Sequence, residues 1–153
     1  MINKQIISAY LRLDNKQTNR YLVKLGNEIR DRILLSKKND EIYQNLELLE
    51  VFVYKVPKQA IEIFKYILKN SNPAKKSRTK FGVVEGKNRD DLVLKGLGLL
   101  GEIRYILPNQ VLPLLEKVIA TEEKDLREKA IEILKKFAKY NYHVLFKSKI
   151  GGF

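Results

Sequence analysis

The chain has 153 residues, of which 44% are hydrophobic and 31% are charged, a composition typical of one globular domain with a single core. It contains 30 Lys and Arg against 18 Asp and Glu, so its net charge is +12. Cysteine is absent and His143 is the only histidine, which excludes a disulfide framework, a zinc ribbon, a thiol nucleophile and a histidine-rich metal site. No apolar run is long enough to cross a membrane and no signal-peptide core is recognisable, so we expect a cytoplasmic protein.

Hydrophobic residues repeat at three- and four-residue steps along most of the chain, which predicts an all-α fold of seven or eight helices. The first predicted helix covers residues 3–13, and the second is capped by Asn15 or Thr18. The third and fourth cover residues 40–54 and 57–69. The next three start at Asp90 and Asp91, at Pro108, and after residues 122–125, and the last covers residues 142–149.

Two regular offsets relate these helices to one another. A shift of 51 residues aligns Leu46 with Leu97 and Pro57 with Pro108, and a shift of 34 aligns Leu97, Leu99 and Leu100 with Ile131, Ile133 and Leu134. The difference between the two shifts equals roughly the length of the polar segment that precedes residue 90. The sequence therefore predicts helical hairpins of about 34 residues, one of them extended by an insertion, which stack on each other.

The segment from Leu126 to Ala138 resembles the first helix of a HEAT-type repeat, and the segment from Asp91 to Gly101 is a weaker copy of it. The resemblance implies an all-α, right-handed α-solenoid of stacked antiparallel hairpins, formed by a single domain over residues 1–153. Its parts would be a capping hairpin (1–36), three repeats (40–70, 90–121 and 124–149) and a basic inserted loop (73–89). The alternative architecture is a globular bundle of antiparallel helices without superhelical stacking.

Catalytic motifs are not recognisable. From Gly82 to Gly86 there are three intervening residues where a P-loop has four, and Asn88 follows Lys87 where a P-loop has Ser or Thr. The acidic pairs at residues 90–91 and 122–123 fall at predicted helix starts, where carboxylates stabilise the helix macrodipole. His143 has no recognisable nucleophile or orienting acid beside it. We therefore expect a non-enzymatic protein without a cofactor or a metal.

One enzyme family shares the expected architecture. The HEAT-like alkylpurine DNA glycosylases are small basic α-solenoids, and this chain is similar to them in composition and helical repeat. That family's site uses Trp residues with an Asp and an Arg, whereas this chain contains no Trp. Glycosylase activity therefore remains a third interpretation that rests on fold analogy alone.

Positive charge is densest in the predicted insertion, and the functional prediction is based on this charge. Residues 71–89 contain six Lys and Arg and one acidic residue. We expect a non-catalytic scaffold that binds nucleic acid or another polyanion through phosphate contacts. The predicted contact residues are Lys37, Lys38, Lys75, Lys76, Arg78, Lys80, Lys87, Arg89, Lys147 and Lys149. The alternative is an adaptor that holds an acidic or amphipathic protein segment in its helical groove.

Three structural expectations follow from the repeat. Pro57 and Pro108 should each lie in the first turn of the second helix of a hairpin. The side chains of Phe81, Val83 and Val84 should pack near Gly98 and Gly101. The basic clusters that follow the second helices should share one edge of the fold, interrupted by acidic residues Glu122, Glu123 and Asp125.

Overall fold

The computed structural model describes residues 3–70, 78–79, 82–83 and 86–140, and these parts of the chain contain seven helices. The helices are α1 (Lys4–Leu13), α2 (Lys16–Leu35), α3 (Asn39–Glu50), α4 (Pro57–Asn70), α5 (Arg89–Glu102), α6 (Pro108–Thr121) and α7 (Lys124–Tyr140). A two-residue antiparallel pair, β1 (Arg78–Thr79) with β2 (Gly82–Val83), lies between α4 and α5. The described structure is therefore helical, as predicted, and the expected helix over 142–149 lies outside the described residues.

Reciprocal side-chain caps define the start of two helices. The Asn15 side chain accepts a hydrogen bond from the Thr18 backbone N–H at 2.8 Å, and the Thr18 hydroxyl accepts one from the Asn15 N–H at 3.0 Å. Asn88 and Asp91 form the same reciprocal pair at the start of α5. Both caps satisfy backbone donors that have no partner within the helix. The two residues predicted as alternative caps of α2 thus act together.

The third helix is shorter than predicted. It ends at Glu50 rather than Tyr54, and a 3-10 turn over Val53–Lys55 follows. Because Val56 precedes a proline, the helical conformation is disfavoured there, and its backbone is observed at φ −133°, ψ 52°. The turn buries both Phe52 and Val56 in the core.

Several core positions related by the 51-residue shift are buried in both copies. Pro57 and Pro108 are the first residues of α4 and α6, where a missing N–H costs no helical hydrogen bond. The 51-residue shift pairs buried residues with buried residues: Leu46 with Leu97, Leu49 with Leu100, Ile63 with Leu114 and Ile67 with Val118. The placement predicted for the two prolines in the first turn of a helix is confirmed.

The helices contact one another in two rows. Along one row α2 packs against α4 and α4 against α6, and along the other α3 packs against α5 and α5 against α7. Contacts of α2 with α3, α4 with α5 and α6 with α7 join the rows, and one continuous core lies between them. Three polar contacts between α2 and α4 share a separation of 32 residues: Asn27 with Gln59, Arg30 with Glu62 and Leu34 with Tyr66.

Two glycines lie where a side chain of another element closely approaches a helix. A Cβ atom at Gly96 would lie 2.5 Å from Cδ1 of Phe64 on α4, and one at Gly26 would lie 2.6 Å from Cγ1 of Val56. Neither position leaves room for a side chain. Gly96 and Gly26 therefore permit the contacts of α5 with α4 and of α2 with the end of the 3-10 turn.

Gly98 and Gly101, the glycines expected to contact the insertion, lie in more open surroundings than Gly96 and Gly26. A Cβ atom at Gly98 would meet no described atom within 4 Å, and one at Gly101 would lie 3.8 Å from the side chain of Ile133 on α7. Phe81 and Val84, expected to pack there, lie outside the described residues, and only the backbone of Val83 is described. Their packing near these glycines stays a prediction.

Candidate polyanion-binding edge

Two exposed lysines occupy the connection between α2 and α3. Lys37 and Lys38 follow the last residue of α2 and precede the first residue of α3. Lys38 is the N-cap residue of α3, and its side chain makes no capping hydrogen bond. The hydroxyl of Ser36 accepts the Lys38 N–H at 3.3 Å and thereby holds the connection in a defined turn. Both lysines belong to the predicted binding surface, and both are exposed.

The end of the basic insertion lies beside this connection. The backbone N–H of Lys87 donates to Oδ1 of Asp40 at 2.8 Å, and Asp40 is in the first turn of α3. The ammonium group of exposed Lys87 lies 4.3 Å from the centre of the Tyr43 ring, also on α3. We name Lys37, Lys38 and Lys87 the basic edge, since these contacts bring together two connections that are about fifty residues apart in sequence.

Lys95 also lies near Tyr43, but its ammonium group has a different main partner. Its Nζ is 2.8 Å from the Glu50 carboxylate and 5.7 Å from the Tyr43 ring centre. Burial lowers the pKa of Lys95, but the hydrogen bond to Glu50 and the charge of Glu50 outweigh it, so that the pKa is raised overall. Lys95 therefore stays charged and contributes to the contact between α5 and α3.

Arg89, another predicted contact residue, forms an ion pair with Glu122. The Arg89 and Glu122 side chains are only 14% and 12% exposed, and Arg89 also donates to the Leu68 carbonyl oxygen at 3.3 Å. This pair joins the start of α5 to the connection between α6 and α7. The acidic connection therefore lies next to the end of the insertion, and one of its carboxylates is neutralised by Arg89.

The remaining predicted contact residues are not described at the level of side chains. Lys75, Lys76, Lys80, Lys147 and Lys149 lie outside the described residues, and only the backbone of Arg78 is described. Their place on the same edge stays a prediction. His143 also lies outside the described residues, and within them no three His, Cys, Asp or Glu side chains are grouped to hold a metal ion.

The connections that follow α1 and α3 make a contact that the sequence interpretation missed. The Lys55 ammonium lies 2.9 Å from Oδ1 of Asp14 and joins the two connections. Hydrogen bonds from Lys55 and Asn19 and the charge of Lys55 lower the pKa of Asp14. Tyr54, in the connection after α3, and Tyr105, in the connection after α5, are both exposed, and the sequence interpretation did not single them out.

Charge is distributed unequally between neighbouring helices. In α2 there are five Lys and Arg against two acidic residues, whereas α3 contains four acidic residues and no Lys or Arg. The α4 sequence contains three lysines and one glutamate. The α2 and α4 helices therefore each carry a net positive charge, whereas α3 carries a net negative one.

No helix within the described parts of the chain is long and apolar enough to span a bilayer. A comparison of the chain with models of protein families, with curated proteins and with solved structures finds no match.

Proposed function

We propose that this protein is a non-catalytic, HEAT-like scaffold that binds nucleic acid through the basic edge and the inserted segment 73–89. The two rows of helices and the repeated burial pattern support stacking of hairpins as a right-handed α-solenoid. In such a stack, connections that follow equivalent helices lie along one edge. The contacts of Lys87 with Asp40 and of Arg89 with Glu122 agree with that arrangement.

The observation that carries the proposal is the lysine at the N-cap of α3. An N-cap favours Ser, Thr, Asp or Asn, because their side chains accept a hydrogen bond from the first turn, and the positive end of the helix macrodipole disfavours a cation. The exposed Lys38 side chain accepts no capping hydrogen bond, and its positive charge lies at the positive end of the helix. A residue that lowers stability at an exposed position is expected where function requires it. Binding of phosphate groups is such a function.

Replacement of Lys38 should raise the stability of the protein and weaken its binding to nucleic acid. In the Lys38→Ser variant, the new hydroxyl can cap α3, so we expect the free energy of unfolding to rise by about 1 kcal/mol. The same change removes one phosphate contact, so the slope of log affinity against log salt should become shallower by about one. Urea unfolding and electrophoretic shifts with single-stranded DNA, duplex DNA and RNA at several salt concentrations measure both effects.

A matched control removes one charge elsewhere. Lys135 is exposed on α7 and lies more than two helical turns beyond Glu122. The Lys135→Ser variant should bind nucleic acid as the wild type does. If Lys38→Ser and Lys135→Ser weaken binding equally, the effect is one of net charge and the proposed edge is wrong.

The inserted segment is tested by charge reversal. Replacement of Lys75, Lys76, Arg78 and Lys80 by Glu should abolish binding of nucleic acid while the helical circular dichroism stays unchanged. Undiminished binding in this variant would remove the segment from the site.

One observation favours the adaptor as a second candidate. Leu35 at the end of α2 is 82% exposed and lies two residues before Lys37. An apolar side chain next to cations complements an acidic amphipathic segment. Binding of such a segment should depend weakly on salt and should be lost in Leu35→Gln, whereas binding of nucleic acid should depend steeply on salt and survive this change.

A further inference from the structure

Two tyrosines occupy equivalent positions in consecutive repeats and are exposed to the same extent. The 51-residue shift that relates Pro57 to Pro108 also relates Tyr54 to Tyr105. Tyr54 is 48% exposed and Tyr105 is 47% exposed. The equivalent pairs in the core are explained by packing, whereas about half of each tyrosine remains open to solvent. Exposed aromatic rings on loops are available to contact a ligand.

A cation lies against each of these rings. The Lys55 ammonium is 5.8 Å from the centre of the Tyr54 ring, and the Arg104 guanidinium carbon is 4.3 Å from the centre of the Tyr105 ring. Arg104 also donates to the Tyr105 hydroxyl at 2.9 Å and to the Gly101 carbonyl. The ion pair with Asp14 holds Lys55 in a corresponding way. Both tyrosines are thus presented next to a fixed positive charge.

The two pairs follow helices that are direct neighbours. Tyr54 and Lys55 follow α3, Arg104 and Tyr105 follow α5, and α3 packs against α5. The two pairs therefore follow adjacent helices, and the axes of packed helices are typically about 8–10 Å apart. Exposed Lys58 lies in the first turn of α4, four residues after Tyr54 in sequence. We name Tyr54, Lys55, Arg104 and Tyr105 the tyrosine edge.

We propose that the tyrosine edge binds single-stranded nucleic acid, with one base stacked on each tyrosine. The proposal rests on the proposed function for its class of partner, although the surface is a different one. Rings that are paired with cations complement a chain that carries both flat bases and phosphates, and stacking on aromatic rings accepts any base. In a duplex the bases stack on each other, so the tyrosine edge selects the single strand.

The test compares binding of one labelled oligonucleotide of mixed sequence, as a single strand and annealed to its complement. Tyr54→Ala and Tyr105→Ala should each weaken single-strand binding about 5- to 100-fold, because each removes one stacking contact. Tyr54→Phe and Tyr105→Phe should keep the wild-type affinity, since the ring is retained. Duplex binding should be the same in all five proteins.

Tyr21→Ala provides the matched control. Tyr21 is also a partly exposed tyrosine, but its ring lies against Tyr10, with the ring centres 4.7 Å apart. This variant should bind the single strand as the wild type does, and circular dichroism should show that all variants are folded. A loss in Tyr21→Ala as large as in Tyr54→Ala would overturn the assignment to the tyrosine edge.

The outcomes distinguish this inference from the proposed function. If the wild type binds nucleic acid and both alanine variants bind single strands unchanged, the tyrosine edge is wrong and the basic edge stands. Equal losses for single strand and duplex would also overturn it, because stacking is specific to free bases.

If the wild type binds neither form at low salt, both proposals fail. If the alanine variants change the sedimentation mass, the edge is a contact between copies, which overturns the inference.

Discussion

A Cβ atom at Gly96 would lie 2.5 Å from Cδ1 of Phe64, so α5 and α4 approach each other at a position where only glycine fits. Phe64 is buried in the core and its ring has little freedom to move away. The helix cost of a glycine is outweighed here by the close packing that it allows.

Substitution at this position should therefore destabilise the protein despite the better helix propensity of alanine. We expect Gly96→Ala to lower the free energy of unfolding by roughly 1–3 kcal/mol, the usual cost of overpacking a core. Urea unfolding followed by circular dichroism measures the change.

The matched substitution two residues further along α5 should have the opposite sign. A Cβ atom at Gly98 meets no described atom within 4 Å. Gly98→Ala should raise the free energy of unfolding by up to ~1 kcal/mol, because alanine is the better helix former. Destabilisation by Gly98→Ala would indicate that another part of the chain, such as Phe81 or Val84, covers this glycine.

Removal of the carboxylate from the Arg89–Glu122 pair should lower the free energy of unfolding more than removal of a carboxylate from an exposed ion pair. Glu122→Gln leaves a mostly buried guanidinium without its counter-charge, so we expect a loss of roughly 3 kcal/mol of stability. In the control Glu132→Gln, which affects the exposed pairs with Lys129 and Lys136, the loss should be under about 1 kcal/mol. Equal effects in the two variants would contradict the structural role of Arg89.

Stability should depend on pH through Asp14. Its pKa in the folded protein is lower than the ordinary value of 3.8, chiefly because of the hydrogen bond from Lys55. The Asp14 contribution is therefore fully present above pH 3.8 and is lost as the pH falls through the folded pKa. We expect Asp14→Asn to be less stable than the wild type at pH 6, and the difference to shrink as the pH is lowered below 4. Thermal unfolding at a series of pH values checks this, and a difference that is constant with pH would contradict it.

The two prolines of α6 should respond differently to replacement. Pro113 lies inside the helix, where it lacks the N–H that would donate to Asn109, so Pro113→Ala should stabilise the protein by roughly 1–3 kcal/mol. Pro108 is the first residue of the helix, where no such hydrogen bond is missing, and Pro108→Ala should change stability by less than about 1 kcal/mol. Thermal unfolding of the two single variants gives the comparison.

Local signals in the sequence predicted the helices well. Asn15 with Thr18, Pro57 and Pro108 mark helix starts because they act on backbone groups within one turn, and such effects require no tertiary contact. The error at the end of α3 has a tertiary component, since the 3-10 turn places Phe52 and Val56 in a core formed largely by other helices.

The sequence by itself determined the helical class, the equivalence of the two proline-started helices and the charge of the chain, because periodicity and local backbone chemistry are properties of neighbouring residues. Only the tertiary structure decided that Gly96 rather than Gly98 is confined, that Arg89 is bound to Glu122, and that Lys87 lies beside Asp40. These contacts join residues about 30 to 50 positions apart. No local pattern specifies them, since they depend on how the helices pack around their common core.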